Sequence, residues 1–158
     1  MKASYLKKLK KWTYSEIPVP SNYDESKYAI VKTSLNGICS TDILRSMKTG
    51  FYNYPIVPGH EIIGSVYKIK SSTKFKLGDR VAVYPLIQCK KCKYCKNQYP
   101  NLCDNYSFLG SRTNGGYAEY VLTPIENLIK IPKEVSDERA VFTEPLAVTL
   151  HSFKIAEK

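Results

Sequence analysis

Four of the five cysteines lie between positions 89 and 103, in the pattern C-x2-C-x2-C-x7-C formed by Cys89, Cys92, Cys95 and Cys103. The stretch that carries them, Gln88 to Tyr106, is mostly Lys, Cys, Asn and Tyr with almost no aliphatic residues. Such a segment has no means of packing a core of its own, so it needs a metal to hold a shape. Four thiolates close a tetrahedron around Zn²⁺ and leave no open position, which marks a structural site. An iron–sulfur run also begins C-x2-C-x2-C, but it continues x3-C-P, whereas here the fourth cysteine follows after seven residues and precedes Asp104. Residues 88–106 are therefore expected to be a zinc-held lobe rather than a domain.

The fifth cysteine stands apart. Cys39 sits in Gly37-Ile38-Cys39-Ser40-Thr41-Asp42, and Gly59-His60-Glu61 follows some twenty residues later. A cysteine, a histidine and a carboxylate supply three ligands and leave a fourth position free, the arrangement of a catalytic zinc. Taken singly the residues have plainer readings: Cys39 as a small core residue in a strand-to-helix turn, and His60 as a hydrogen-bonded loop residue.

At 158 residues the chain fits one domain of ordinary size, with room for a real core. Its 43% apolar and 24% charged residues match a soluble globular protein, and no apolar run is long enough to span a membrane. The N-terminal Met1-Lys2-Ala3-Ser4-Tyr5-Leu6-Lys7-Lys8 is basic but has no apolar segment after it, which argues against a secretory signal and for the cytoplasm. In a reducing compartment an odd, clustered set of cysteines reads as metal-binding or catalytic. The formal charge of +10 raises nucleic acid as a partner, with Lys90, Lys91, Lys93 and Lys96 threaded among the thiols. No recognition-helix or RNP-like motif accompanies it. Lysines beside a four-thiolate zinc offset its net negative charge, so the expectation is a solvated basic surface, with neither nucleic acid nor membrane as partner.

Strand-like runs between turn residues occur at 28–35, 62–69, 80–86, 116–123 and 127–131. Helices are few: one over 40–47 behind a Ser40 cap, and one starting at Ser136 and running to Glu144. The chain is thus read as mainly β with a few helices.

The order of motifs then carries a resemblance. Gly37-Ile38-Cys39-Ser40-Thr41-Asp42, Pro58-Gly59-His60-Glu61, Gly78-Asp79-Arg80-Val81, the four-cysteine lobe, Gly115-Gly116-Tyr117-Ala118-Glu119-Tyr120 and Glu144-Pro145-Leu146 together resemble the zinc-dependent medium-chain alcohol and polyol dehydrogenases over essentially the whole chain. Phe108-Leu109-Gly110-Ser111-Arg112 and Leu150-His151-Ser152-Phe153 are most similar to the galactitol-1-phosphate 5-dehydrogenase group, with sorbitol and threonine dehydrogenases as neighbours. The resemblance implies a GroES-like β-barrel catalytic domain over 1–148 and, over 149–158, the start of a helix leading to a nucleotide-binding half. It implies two Zn²⁺ ions, one catalytic and one structural, with Cys39 and His60 as catalytic ligands and Glu61 or Glu144 as the carboxylate. Asp42 would accept the other ring N–H of His60, and Thr41 would relay the proton of the substrate hydroxyl. Arg112 is a candidate for a substrate phosphate, because a guanidinium takes phosphate oxygens bidentately. Ser40 departs from the commonest pattern, where glycine stands.

The implied reaction is the oxidation of a polyol or polyol phosphate to a ketone by hydride transfer to NAD, in a complete enzyme that is a homo-oligomer. The eight glycines include no G-x-G-x-x-G, and no βαβ unit remains after Glu144, so the Rossmann half is not in these residues. A fragment inactive alone is the expectation. The rivals are a zinc module that contacts nucleic acid or protein through the lysine-rich lobe, and a GroES-like structural protein in which Cys39 and His60 are bystanders.

Overall fold

The computed structural model describes residues 1–70 and 74–157. Its centre is a five-stranded sheet in the order β8-β3-β4-β5-β9, formed by β3 (Tyr28–Asn36), β4 (Ile62–Lys68), β5 (Arg80–Val83), β8 (Tyr120–Pro124) and β9 (Leu128–Lys130), all antiparallel. β1 (Lys2–Lys8) and β2 (Lys11–Glu16) form a hairpin, and β6 (Leu86–Ile87) pairs with β7 (Ser107–Phe108) at the base of the cysteine lobe.

The sheet cannot be flat. Ile125 donates its N–H to Lys27 O (2.9 Å) at the start of β3, and two residues later Asn127 O accepts from Tyr84 N (2.8 Å) just beyond β5. The register pairs Asn36 with Ile62 and Ile62 with Val83, which puts the end of β5 two strands across and eight residues along from Tyr28. In a flat sheet those points would lie about 29 Å apart, whereas Ile125 to Asn127 spans at most about 7 Å. Curling the sheet until its edges approach is the way to satisfy both, and that is barrel closure. Asn127, buried in the short 3₁₀ turn Ile125–Asn127, fixes the seam by donating from Nδ2 to Tyr84 O (2.7 Å) and Leu86 O (2.8 Å).

Successive strand residues point to opposite faces, and both faces are covered here. Val31, Ile62, Val66, Val81, Val83, Leu109 and Val121 fill the interior. Ile63 and Ala82, one residue out of phase, pack outside with Ile131 and Ala140 of α3 (Asp137–Ala140). Two-sided burial is why β4 opens on two consecutive apolar residues, Ile62 and Ile63, rather than on an alternation. At Gly64 a Cβ would fall 2.2 Å from Lys32 O, so β3 and β4 meet there only because the side chain is missing.

Several boundaries differ from the sequence expectations. The hairpin β1–β2 was not anticipated, because its lysines mask the alternation; β1 is held by a two-way backbone pair between Leu6 and Ile56 and by Ser4 N on Tyr117 O (2.8 Å). The 80–86 run breaks at Tyr84-Pro85 into β5 and β6, since proline has no N–H to give a ladder. The 116–123 run is strand only from Tyr120, and its first residues strap a loop described below. Cys39, not Ser40, is the N-cap of α1 (Ser40–Leu44), which continues as a π-helical turn over Arg45–Thr49. The helix begun at Ser136 ends after one turn, and α4 (Thr143–Ala156) then runs unbroken across the 148/149 division. In the lobe, α2 (Lys93–Lys96) holds Cys95 and is capped by Cys92, a 3₁₀ turn at Pro100–Leu102 ends on Cys103, and Cys89 precedes both. Among the described residues, no helix is long and apolar enough to cross a membrane.

Candidate metal centres and the cavity between them

The lobe brings all four thiols together. The Cys89–Cys95 and Cys92–Cys103 Sγ pairs are each 4.0 Å apart, and every donor lies within 4.8 Å of the others. A disulfide would need about 2.05 Å; a tetrahedron with Zn–S bonds of about 2.3 Å has edges of about 3.8 Å. The spacing therefore fits a four-thiolate zinc, and the cysteines are free thiols. Backbone amides already face the sulfurs: Cys89 N to Cys103 Sγ (3.3 Å), Cys92 N to Cys89 Sγ (3.4 Å) and Cys95 N to Cys92 Sγ (3.5 Å). The N–H groups of Lys91 and Cys92 hold Cys89 down at about 6. Burial, then the neighbouring thiols Cys103 and Cys92, push Cys95 up to about 12. Four thiolates crowded together need a cation to stay ionised.

The second cluster joins Cys39, His60 and Glu61, whose donor atoms also lie within 4.8 Å of one another. Cys39 reaches it from the N-cap of α1, where its own N–H is held by Asp42 Oδ2 (3.3 Å). His60 reaches it from a loop that only glycine permits. Gly59 sits at φ +94°, and a Cβ on Gly115 would fall 2.0 Å from Gly59 O. Gly115 N to Val57 O (2.7 Å), Gly116 N to Gly59 O (2.9 Å) and Tyr117 N to Pro58 O (3.0 Å) then strap residues 57–59 in place. Phe108 meets the His60 ring edge-on at 5.6 Å between centroids.

Asp42 ties the two arms together. It is 3% exposed; its Oδ1 lies 3.4 Å from His60 Nδ1, and its Oδ2 accepts from the Tyr117 hydroxyl (3.0 Å). With Nδ1 turned to Asp42, Nε2 is the ring nitrogen left for a metal. Burial works against a charged His60, but the hydrogen bond and charge of Asp42, followed by Cys39, outweigh it and raise the imidazole to about 9. Burial also raises the Cys39 thiol; the Thr41 hydroxyl and N–H, with His60, more than reverse this and leave it below its usual range. Thr41 Oγ1 donates to Cys39 Sγ (3.1 Å) and is exposed.

These groups line one cavity of about 910 Å³, walled by α1, the ends of β4 and β5, the lobe and α4. Glu144 lies on its wall rather than within the Cys39–His60–Glu61 donor group. Burial pushes its carboxyl up, His60 draws it down, and Glu61 and Asp42 push it up again. Arg112 is stacked between Tyr52 and Tyr106, while Ser111 beside it faces the cavity. Sequence reasoning gave no role to Tyr117, although its motif was recognised, nor to Arg45, which lines the cavity one turn beyond Thr41. The i to i+4 spacing of Thr41 and Arg45 in a helical segment is the signal that was available.

Residues 25–133 match the family described as "Alcohol dehydrogenase GroES-like domain". The chain is 36% identical over 144 residues to galactitol 1-phosphate 5-dehydrogenase of Escherichia coli K12, covering 90% of this chain and 41% of that protein. It is 33% identical over 147 residues to L-galactonate-5-dehydrogenase of the same organism, covering 92% and 42%. The crystal structure of galactitol-1-phosphate dehydrogenase from Escherichia coli superposes with a TM-score of 0.93 at 32% identity, covering 99% of this chain and 45% of that one. The chain thus spans less than half the length of the relatives it matches.

Proposed function

This chain belongs to the alcohol dehydrogenase GroES-like domain family, and from that premise we propose that it is the zinc-bearing catalytic domain of a dehydrogenase that oxidises a sugar alcohol, or its phosphate, to the ketone. The observation that carries the reading is the gathering of Cys39, His60 and Glu61 in the cavity, with Asp42 on His60 Nδ1 and Thr41 Oγ1 on Cys39 Sγ. A merely structural GroES-like domain has no need of a buried carboxylate aimed at a ligand-competent histidine. The matched relatives act, by their names, on a polyol phosphate and on a sugar acid, which supports a sugar-derived alcohol as the substrate class.

When bound, zinc supplies Lewis acidity toward the substrate oxygen, and a nicotinamide dinucleotide supplies the hydride acceptor. Cys39 and His60 would hold the metal, with Glu61 as the carboxylate already beside them and Glu144 as the one able to approach from the wall. Asp42 keeps His60 in the tautomer that presents Nε2, and Tyr117 holds the far oxygen of Asp42. Thr41 Oγ1, at the wet side of Cys39, accepts the hydroxyl proton and passes it to solvent as the alcohol carbon gives up hydride. The lobe cysteines would hold the second zinc away from this chemistry. The free thiols of both clusters suit a reducing, cytoplasmic setting.

Zinc counting by elemental analysis tests the reading. Two per chain is expected, falling to one in His60→Ala with the barrel intact, and to one in Cys92→Ser. One zinc in the unaltered chain, unaffected by His60→Ala, would leave only the lobe site and overturn it.

A further inference from the structure

The cavity that holds the Cys39–His60 cluster has a second, positively charged end. Arg45 lines it from the π-helical turn that continues α1, four residues after Thr41 and therefore on the same side. Its guanidinium lies 5.0 Å from the centre of the Tyr52 ring. Arg112 in turn lies 3.9 Å from the Tyr52 ring and 4.5 Å from Tyr106, so cation and ring alternate from Arg45 through Tyr52 and Arg112 to Tyr106. Tyr52, Tyr106 and Ser111 line the cavity with Arg45.

Charge is left over in this ladder. Among the described residues the ion pairs involve Arg80, His60 and four lysines, and neither Arg45 nor Arg112 has a carboxylate within 4.0 Å. Arg112 Nε is buried without a hydrogen-bond partner, Arg112 Nη2 reaches the Tyr106 hydroxyl at 3.5 Å, and the Tyr52 phenol is the guanidinium's other polar neighbour. Arg45 Nη1 reaches Gly50 O at 3.4 Å, a long contact, and the guanidinium also faces the Tyr52 phenol, which leaves part of its five-donor fork free. The Tyr52 phenol registers the field: Arg45, then Tyr106, then the charges of Arg45 and Arg112 draw its pKa below the usual range. Aromatic stacking holds a guanidinium flat and in place without neutralising it. One such cation in the wall of a concave site, one helical turn from Thr41 and with a second stacked behind it on Tyr52, is suited to an anion presented by the ligand.

We propose that Arg45, positioned by the Tyr52–Arg112–Tyr106 stack, is the subsite for an anionic group, phosphate or carboxylate, carried by the substrate a few carbons from its reacting hydroxyl. Arg45 makes the contact, and Arg112, held behind Tyr52, acts as its positioning residue. The inference rests on the preceding reading that this cavity receives the substrate, and it selects charged sugar alcohols over neutral ones.

The test is calorimetric titration of the zinc-loaded 158-residue chain with a polyol phosphate, an aldonate and a neutral polyol, with zinc content and far-ultraviolet dichroism recorded for every variant. Binding of at least one anion is expected, weakened roughly tenfold or more by Arg45→Gln. Arg45→Lys should fall between the two, because it keeps charge but loses the fork. Arg112→Gln should weaken the anion less than Arg45→Gln does, with neutral polyol binding unchanged throughout. The anion that binds more tightly identifies the group. Equal affinity in Arg45→Gln and the unaltered chain, equal losses for charged and neutral polyols, or no anion binding at all would overturn the proposal. Failure of the catalytic reading shows separately, as a single zinc per chain, whatever the anion titration gives.

Discussion

Asp42 carries three obligations at once: the Cys39 N–H, the His60 ring and the Tyr117 hydroxyl. A buried carboxylate with three donors is well satisfied, and removing one donor exposes the cost. Tyr117→Phe keeps the ring that packs on Gly59 but deletes a hydrogen bond to a charged acceptor, which should lower stability by about 1.5–3 kcal/mol in denaturant unfolding. An unchanged midpoint would show that the bond contributes nothing. Asp42→Asn should retain the fold while weakening zinc at the Cys39–His60 cluster about 10–100-fold, measured by competition with a chelator, because His60 loses the partner that sets its tautomer. Gly115→Ala has a different effect. Its methyl would meet the backbone carbonyl oxygen of Gly59, and neither a Cβ nor a main-chain oxygen has a rotamer with which to move aside. Loss of about 1–3 kcal/mol is expected, together with loss of the zinc that depends on His60.

At the scale of elements, the lobe and the barrel draw on different sources of stability. The lobe contributes the buried Cys103 but little aliphatic surface, while the barrel interior is packed with branched side chains. Cys92→Ser or chelation should therefore unfold residues 88–106 alone, seen as protease cleavage within the lobe while barrel amides stay protected from exchange. The first turn of α3 is tied down differently. Asp137 accepts from Arg80 Nε (3.0 Å) and from the Ser34 hydroxyl (2.6 Å), pinning the turn over Ile63 and Ala82. The Ser34 hydroxyl, then Arg80, hold the Asp137 carboxyl below its usual range. A carboxylate with a depressed folded pKa adds stability above its unfolded value of about 3.9 and loses it as pH falls through the folded value. Asp137→Asn should thus be less stable than the unaltered chain at neutral pH, and the two should converge in strong acid. A constant gap across that range would refute the linkage.

For the whole molecule, the cavity is built where elements distant in sequence meet: α1, the ends of β4 and β5, the lobe and α4. All strand ladders among the described residues are antiparallel, and none forms the parallel βαβ frame that binds dinucleotides. The 158 residues alone should leave the fluorescence of NADH unchanged, and a nucleotide-binding half from a relative should restore polyol-dependent reduction of NAD. Quenching or enhancement of NADH by the chain alone, saturating with concentration, would overturn that expectation.

The spacing of Cys89, Cys92, Cys95 and Cys103 determined the lobe by itself, because ligands so close in sequence can close on one ion with only local turns. The ordered motifs likewise carried the family and the fold class. Cys39 and His60 could be assigned to one metal through the resemblance, but what brings them together is tertiary: the glycine-permitted loop at Gly59, strapped from residues 115–117, more than fifty positions away. Tyr117 meets Asp42 across 75 positions, and Arg112 finds Tyr52 across a comparable separation. Such meetings are decided by barrel closure, where the seam at Ile125–Asn127 joins strand ends that a flat sheet would hold far apart. Periodicity reports which face of a strand is apolar; it carries no information on how far the sheet curls, and the curl is what forms the cavity.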